Sequence, residues 1–348
     1  FKQLATGMEK FRPLLYMSVS SNVVRSLALV ILALSGHLSH NLVIFIFVGG
    51  DLFELLCCIL IIQYIIKVPV SIKWNKREYI SLFKESLPQM GVSIFTSVIA
   101  RFDWIIIGLF TSTVILANYS FAYKIFEMAT LPMLVVAPVL IPRFTKLFHP
   151  GSPLPNSNRI DELFALLRIE MIVSSFVALI LNIIWVPVID LASNGKYGSI
   201  NSTTIMVLSA SMPFLYFNNF LWTVNFAKGR LKMIFFVFAA SFLINVIANI
   251  FLTPVYKAEG AAAAYLLTIV GQSVLYILNT ELKGLLRNSG PVLLCPLCAI
   301  ISGIAASYSF GNSWLQLASA CILFLLLLII TRQLLLSDRL LFKRFTGL

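Results

Sequence analysis

Long apolar stretches alternate with short polar connectors along the chain, and this pattern predicts helices that cross a membrane. The hydrocarbon core of a bilayer is about 30 Å thick, so a helix needs about 20 mostly apolar residues to span it. Measured against that length, the 348-residue sequence contains ten candidate spans. They are residues 13–35, 41–66, 88–110, 116–141, 169–191, 203–227, 233–254, 261–280, 291–309 and 314–331. We therefore predict an all-α polytopic membrane protein with ten transmembrane helices, neighbouring spans forming antiparallel hairpins.

The positions of Lys and Arg provide an independent test of this topology. If the N-terminus is cytoplasmic and the spans alternate, 21 of the 26 basic residues lie in cytoplasmic segments. Only Lys196 and Lys257 lie in outside loops, and three lie within spans. Such asymmetry is what the positive-inside rule describes. We expect a cytoplasmic (inner) membrane protein whose N- and C-termini are both cytoplasmic.

Composition excludes several classes of function. The chain is 59% hydrophobic and 11% charged, with a mean hydropathy of +0.94, whereas soluble domains carry about 25% charged residues. A soluble enzyme, a nucleic-acid-binding protein and a disordered scaffold are therefore excluded. The net charge of +12 suits basic loops facing anionic lipid. Cys295 and Cys298 form a CxxC inside an apolar span without a second pair or a His nearby, so we expect neither a metal nor another cofactor.

A weak internal repeat suggests how the chain is organised. The hairpin that opens with Lys10-Phe11-Arg12 resembles the one that opens with Lys228-Gly229-Arg230, and transporters are commonly built from such repeats. We predict four segments. These are the last two helices of an N-terminal lobe (1–66), a cytoplasmic interfacial linker (67–85), a six-helix C-terminal lobe (86–283), and two additional helices with a basic cytoplasmic tail (284–348).

Two groups of motifs carry a resemblance to a known family. The first comprises Ser86-Leu87-Pro88, Asp103, Gly108, the stretch Asn118 to Lys124 (NYSFAYK) and Pro142. The second comprises Lys228-Gly229-Arg230, Asn245, Asn249, Pro254 and the stretch Glu259 to Ala264 (EGAAAA). In order and spacing they resemble the polysaccharide flippases, the Wzx-like branch of the exporter superfamily that includes multidrug and toxin extruders and the lipid II flippase. The resemblance covers nearly the whole chain.

The resemblance implies a partial two-lobe exporter fold. Family members have twelve or fourteen spans in two six-helix lobes, so the chain is expected to lack about the first four. It also implies a substrate, a polyprenyl-diphosphate-linked oligosaccharide moved across the membrane for surface polysaccharide biosynthesis. Glycan polymerase or assembly proteins are the protein partners that it implies.

Seven charged residues lie well inside the predicted spans, away from their ends: Arg25, Asp51, Glu54, Arg101, Asp103, Lys124 and Glu127. A charge at the bilayer centre costs about 2.5–3.5 kcal/mol even on the mildest scale, so all seven facing lipid would cost on the order of 20 kcal/mol. That exceeds the net stability of most proteins, about 5–15 kcal/mol. These side chains must therefore face an interior that is hydrated, paired, or both.

Two interpretations of these charges compete. In the structural one, Lys124 pairs with Glu127 at i, i+3 and Arg25 bridges to Asp51 or Glu54 of the next helix. In the functional one, Arg25, Arg101 and Lys124 line a cavity and bind the diphosphate. Arg101 and Asp103 point about 160° apart on a helix and cannot pair with each other, which favours a cavity.

Further roles follow from the functional interpretation. Asp51, Glu54, Asp103 and Glu127 are candidates for binding a coupling proton or sodium ion. Trp104, Tyr119 and Tyr123 are candidates for stacking on sugar rings, although packing or lipid contact is the safer expectation in a chain with 28 Phe.

The leading function is thus transport of a lipid-linked oligosaccharide by alternating access, without enzymatic activity. Two rivals lie in the same superfamily: a cation or drug extruder and a lipid II flippase. A rival of a different class is a membrane-embedded glycan polymerase or ligase, which would need catalytic residues on a sizeable outside loop. A scaffold that transports nothing would not need mid-bilayer Arg.

Overall fold

The structure is a computed structural model of the chain and describes residues 1–8, 10–36, 39–68, 75–148, 156–279 and 290–334. Within these ranges the regular elements are all helical, which confirms the predicted all-α class. In the same ranges, eight segments are long and apolar enough to cross a membrane. The protein is therefore a multi-pass α-helical membrane protein.

The described chain forms twelve α-helices in the following order. They are α1 (Lys2–Gly7), α2 (Phe11–Leu34), α3 (His40–Leu60, continued by a π-helical turn at Ile61–Ile66), α4 (Lys76–Phe110), α5 (Thr113–Ala129), α6 (Leu131–Phe148), α7 (Asn156–Ser193), α8 (Ser202–Ala210), α9 (Met212–Ala227), α10 (Leu231–Asn279), α11 (Gly290–Ser309) and α12 (Ser313–Ile330).

Two predicted spans are each divided into two helices. The span 116–141 is broken at Thr130, and the span 203–227 is broken at Ser211. In both cases a proline, Pro132 or Pro213, occupies the first turn of the following helix, where its missing N–H leaves no hydrogen bond unmade. The break at Thr130 is one reason why fewer segments than the predicted ten are long enough to count as spans.

A second reason lies in α10, which contains two of the predicted spans. The helix is bent sharply at Lys257, whose φ of 55° and ψ of −125° are not helical. Its two halves lie side by side after the bend. A hydrogen bond from the Asn245 amide to Thr268 Oγ1, at 3.1 Å, joins them. Gly260 lies against the carbonyl of Leu252, where a Cβ would collide with that backbone oxygen. The halves are antiparallel, so α10 supplies two crossings joined by a tight turn.

Helix α4 begins earlier than the predicted span 88–110. It runs without interruption from Lys76 through Pro88 to Phe110. The second part of the predicted interfacial linker 67–85 is therefore continuous with the span that follows it. Residues 69–74 of that linker lie outside the described residues.

The chain divides into two compact units, Phe1–Leu82 and Phe83–Leu348. The boundary falls inside α4 and inside the predicted linker. The first unit is built on the hairpin of α2 and α3, with a small core of Ala5, Met17, Cys58 and Ile62. The assignment of the segments to two exporter lobes stays a prediction.

The second unit contains two apolar cores that share α7. One core lies between α4, α5, the second part of α7, α8 and the second half of α10, with Trp185 and Tyr119 fully buried. The other joins α6, the first part of α7, α9, α11 and α12 around Phe220 and Phe324. The first of these cores positions the charged side chains of α4 and α5.

Candidate functional site

Three charged side chains on α4 and α5 form what we call the basic cluster: Arg101, Lys124 and Glu127. Lys124 Nζ donates to Glu127 Oε2 at 2.7 Å, one helical turn away along α5. Arg101 Nη2 lies 3.6 Å from Glu127 Oε1. The i, i+3 pair expected from the sequence is therefore present, and a second cation from the neighbouring helix shares its carboxylate.

The basic cluster carries a net positive charge, because two cations share one carboxylate. The side chains of Arg101 and Lys124 are 44% and 59% exposed, so neither is enclosed by the protein around it. The guanidinium of Arg101 lies over the ring of Trp104, 4.5 Å from its centroid. Its Nη1 has no hydrogen-bond partner among the described residues. That nitrogen is buried, so an anion would meet the exposed parts of the Arg101 and Lys124 side chains instead.

Asp103 has a different environment from Arg101, although it lies only two residues away. It is 1% exposed and accepts hydrogen bonds from the hydroxyl of Tyr119 and, at 2.9 Å, from the backbone N–H of Trp104. The two neighbours are therefore directed to different partners, as their spacing on the helix predicted. Asp103 is a buried, hydrogen-bonded acid beside the basic cluster.

The three aromatic candidates differ in accessibility. Trp104 is half-buried and already contacts Arg101, while its ring meets Tyr123 edge-on at 6.2 Å. Tyr119 and Tyr123 are buried in the core, and Tyr123 also packs against Phe126 and Tyr265. Their covered faces favour packing over the sugar stacking that the sequence suggested, and sugar contact by Trp104 stays a prediction.

The remaining charged candidates belong to the first unit. Arg25 of α2 pairs with Asp51 of α3 and lies 3.6 Å from Glu54 Oε2. Glu54 also accepts from Ser21 Oγ at 2.6 Å and pairs with Lys2 at 2.5 Å. Two cations here balance two carboxylates. These contacts match the structural interpretation of Arg25, whose proposed meeting with Arg101 and Lys124 in one cavity stays a prediction.

Sequence reasoning missed a further acid, Glu170. It lies in α7, is almost fully buried, and neither of its carboxylate oxygens has a hydrogen-bond partner among the described residues. The predicted span 169–191 placed it at a membrane boundary, where a charge is unremarkable. In the structure α7 begins 13 residues earlier, at Asn156, which places Glu170 well inside the helix.

No group of three or more His, Cys, Asp or Glu residues that could hold a metal ion occurs in the described ranges. Cys295 and Cys298 are both buried free thiols. The arrangement around Arg101 is suited to binding an anion by charge and hydrogen bonds.

Comparison with known proteins gives a family match for the N-terminal part of the chain. Residues 1–148 match the family of polysaccharide biosynthesis proteins. That part of the chain is similar to this family. The match includes α2, α3 and the whole basic cluster, so the resemblance inferred from the sequence is confirmed over the segment that carries the candidate residues.

A solved structure gives the fold. The protein resembles the lipid II flippase MurJ in its inward closed conformation, with a TM-score of 0.68 and 15% sequence identity. The match covers 92% of this chain and 67% of that protein. The chain therefore has the fold of this exporter. Among proteins of curated function, none matches the chain by sequence.

Proposed function

We propose that the protein is a flippase that moves a polyprenyl-diphosphate-linked oligosaccharide across the cytoplasmic membrane by alternating access. One observation carries the proposal: in helices of a membrane protein, Arg101 and Lys124 share the single carboxylate of Glu127. A structural ion pair needs one cation for one anion. The second cation leaves a positive charge that an anionic ligand would neutralise.

The chemistry of the two cations favours phosphate as that ligand. The planar guanidinium of an arginine offers paired donors that match phosphate oxygens, and an ammonium adds a point charge. Trp104 lies against one face of the Arg101 guanidinium, and the Arg101 side chain is still 44% exposed. A diphosphate carries enough negative charge to engage both cations while its lipid tail stays in the bilayer.

Family and fold support the same class of substrate. The matched family is described as polysaccharide biosynthesis proteins, and the solved relative is a lipid II flippase. A glycan moved by this protein would then be passed to a polymerase or assembly protein. We propose a transporter rather than an enzyme, because the candidate side chains bind anions and none is arranged as a nucleophile with its base.

The proposal also covers ion coupling and the orientation of the chain in the membrane. Asp103 is the strongest of the four coupling candidates, since it is the buried one and its carboxylate is hydrogen-bonded by Tyr119 rather than paired with a cation. The distribution of basic residues supports a cytoplasmic location for both ends of the chain.

A cellular experiment tests the assignment of Arg101. In cells that depend on the full-length protein, Arg101→Gln should abolish surface glycan while protein level and membrane insertion stay normal. Arg101→Lys, which keeps the charge but loses the fork of donors, should give a partial defect. Lys196→Gln removes one positive charge from an outside loop and serves as the matched control, with normal glycan expected.

Two outcomes would count against the proposal. Normal surface glycan in the Arg101→Gln cells would remove Arg101 from the substrate site. A cation extruder would instead export cationic dyes, depend on Glu127 and Asp103, and tolerate the loss of Arg101, so dye efflux in the same strains separates the two functions.

A further inference from the structure

Glu170 is a carboxyl group in an apolar interior. Its side chain is part of a residue only 6% exposed, and both of its oxygens lack a hydrogen-bond partner among the described residues. Its neighbours along α7, Leu167 and Met171, are fully buried in the core that joins α7 to α9. The group therefore faces other helices of its own unit rather than lipid or water.

No cation faces Glu170 within the part of the chain that the structure describes. Its neighbour Arg168 points elsewhere: its guanidinium lies over the ring of Phe164, and its charge acts on Cys295 of α11. From α9 the facing group is Tyr216, whose hydroxyl lies close enough to interact electrostatically with Glu170 and also lies near the Met133 backbone, without a hydrogen bond to the carboxyl group. The helices around this core also carry charged residues, namely Arg143 and Lys146 on α6, Asp161 and Glu162 on α7 and Lys232 on α10, but these are partly or fully exposed and none acts electrostatically on Glu170. The other titratable groups that line the core are thiols and a phenol: Cys295, Cys298, Cys321 and Tyr276.

An ionised carboxylate in this position would lack both a counter-ion and a hydrogen-bond donor, which strongly disfavours the charged form. The group must bind a proton or a metal cation. Hard cations such as Ca²⁺ or Mg²⁺ need about six oxygen ligands. The described surroundings offer the carboxyl group and one phenol, so a proton is the ligand that fits.

We propose that Glu170 is a proton-binding site: it holds a proton in the closed packing of α7 against α9 seen here and releases that proton to water when the packing opens. The O–H bond forms with a proton taken from water and breaks to return it to water. Tyr216 is the facing polar group of α9, close enough to interact electrostatically with the carboxyl group although it makes no hydrogen bond to it. The link between this proton and substrate movement rests on the proposed flippase function, whereas the protonation itself does not.

Infrared spectroscopy tests the protonation directly on the purified full-length protein at neutral pH. A protonated carboxylic acid has a carbonyl stretching band that a carboxylate lacks. We expect the spectrum of the wild type minus that of Glu170→Gln to contain such a band, since any band from the buried acid Asp103 is common to both proteins and cancels. Glu54→Gln is the matched control, because Glu54 is paired with Lys2 and Arg25, and it should keep the band.

A wild-type spectrum without a protonated-acid band, or a band that Glu170→Gln leaves unchanged, would overturn the proposal. If Glu170→Gln does not fold, Tyr216→Phe replaces it. That variant should keep the band at a shifted frequency, because the dipole of the facing hydroxyl is lost, and an unshifted band would contradict the assignment of the band to Glu170.

A second measurement concerns coupling. In vesicles containing the full-length protein and a labelled prenyl-diphosphate sugar, a pH gradient should change the wild-type rate severalfold and leave Glu170→Gln unaffected. An equal response of both proteins would overturn the coupling. Absence of any lipid movement by the wild type would instead refute the proposed flippase function, while the infrared result would still decide the protonation.

Discussion

At the scale of single residues, charge balance separates the two groups of membrane charges. In the first unit, Arg25 and Lys2 are matched by Asp51 and Glu54. In the second, the basic cluster of Arg101, Lys124 and Glu127 has one cation in excess. Pairing within the unit accounts for the first group of charges, whereas the proposed anion site rests on the unmatched cation of the second group.

Removing the carboxylate of the basic cluster should strengthen anion binding. Glu127→Gln raises the formal charge of the cluster from +1 to +2, and partly exposed ion pairs are worth about 0.2–1 kcal/mol. We expect a two- to fivefold (~0.4–1 kcal/mol) gain in affinity for a short-chain prenyl-diphosphate sugar at low salt, lost as salt is added. Fluorescence anisotropy with purified protein measures it.

The matched control for this substitution is Glu78→Gln, which removes an exposed carboxylate that accepts from Asn75 at the start of α4. It should leave the affinity unchanged. If Glu127 serves only to pair with its neighbours, Glu127→Gln will lower stability without tightening binding, and the anion-site interpretation fails.

The local pairs were predictable and the long-range partners were not. Lys124 and Glu127 lie one helical turn apart, so their pair follows from helix geometry alone. The contact of Asp103 with Tyr119 depends on the register of α4 against α5, which no local pattern specifies. Glu170 escaped notice because hydropathy does not distinguish a helix that continues past the membrane boundary from one that ends there.

At the scale of elements, the sharp turn in α10 brings two spans together. Gly260 lies so close to the Leu252 carbonyl that only a hydrogen atom fits there, and the amide of Asn245 bonds to Thr268 just beyond. Pro254 and Gly260 indicated a turn in the sequence: the predicted span 233–254 ends at Pro254, and the next, 261–280, begins directly after Gly260. The sequence did not indicate that the connection is a single distorted residue, Lys257.

Adding a methyl group at Gly260 should therefore destabilise the protein. Gly260→Ala forces the Leu252 backbone to move, and overpacking of this kind costs about 1–3 kcal/mol. Chemical denaturation of the purified protein in detergent measures the change. Gly108→Ala is the control, since its Cβ would meet only the Leu116 side chain at an ordinary 3.5 Å; equal stability of both variants would contradict the close approach.

Hydropathy predicted the ends of several helices but not the breaks within two of the spans. The ends of α2, α11 and α12 agree with the predicted spans to within about two residues. The breaks at Thr130 and Ser211 were missed, because both helix pieces are apolar and the window averages across the break. The prolines at 132 and 213 were the available signal.

At the scale of the whole molecule, the predicted topology makes a claim about sidedness. Lys196 and Lys257 should face outside and Lys232 the cytoplasm, and all three are exposed. In a cysteine-free background, Lys196→Cys and Lys257→Cys should react with an impermeant maleimide added to intact cells. Lys232→Cys should react only after the membrane is permeabilised.

The reverse labelling pattern would invert the topology, and labelling of all three from one side would refute the alternating spans. The overall exporter fold was predictable because ten apolar stretches and the alternating basic residues agree with one another. The packing of the helices around the basic cluster was not, since it depends on contacts between side chains far apart in sequence.

The most direct test of the central claim is movement of a labelled prenyl-diphosphate oligosaccharide between the leaflets of vesicles that contain the full-length protein. The wild type should transfer the labelled lipid, and the double variant Arg101→Gln/Lys124→Gln should be slower by at least about tenfold, because hydrogen bonds to charged groups are worth about 1.5–3 kcal/mol. Transfer by the double variant at the wild-type rate would contradict the claim that these two cations hold the diphosphate.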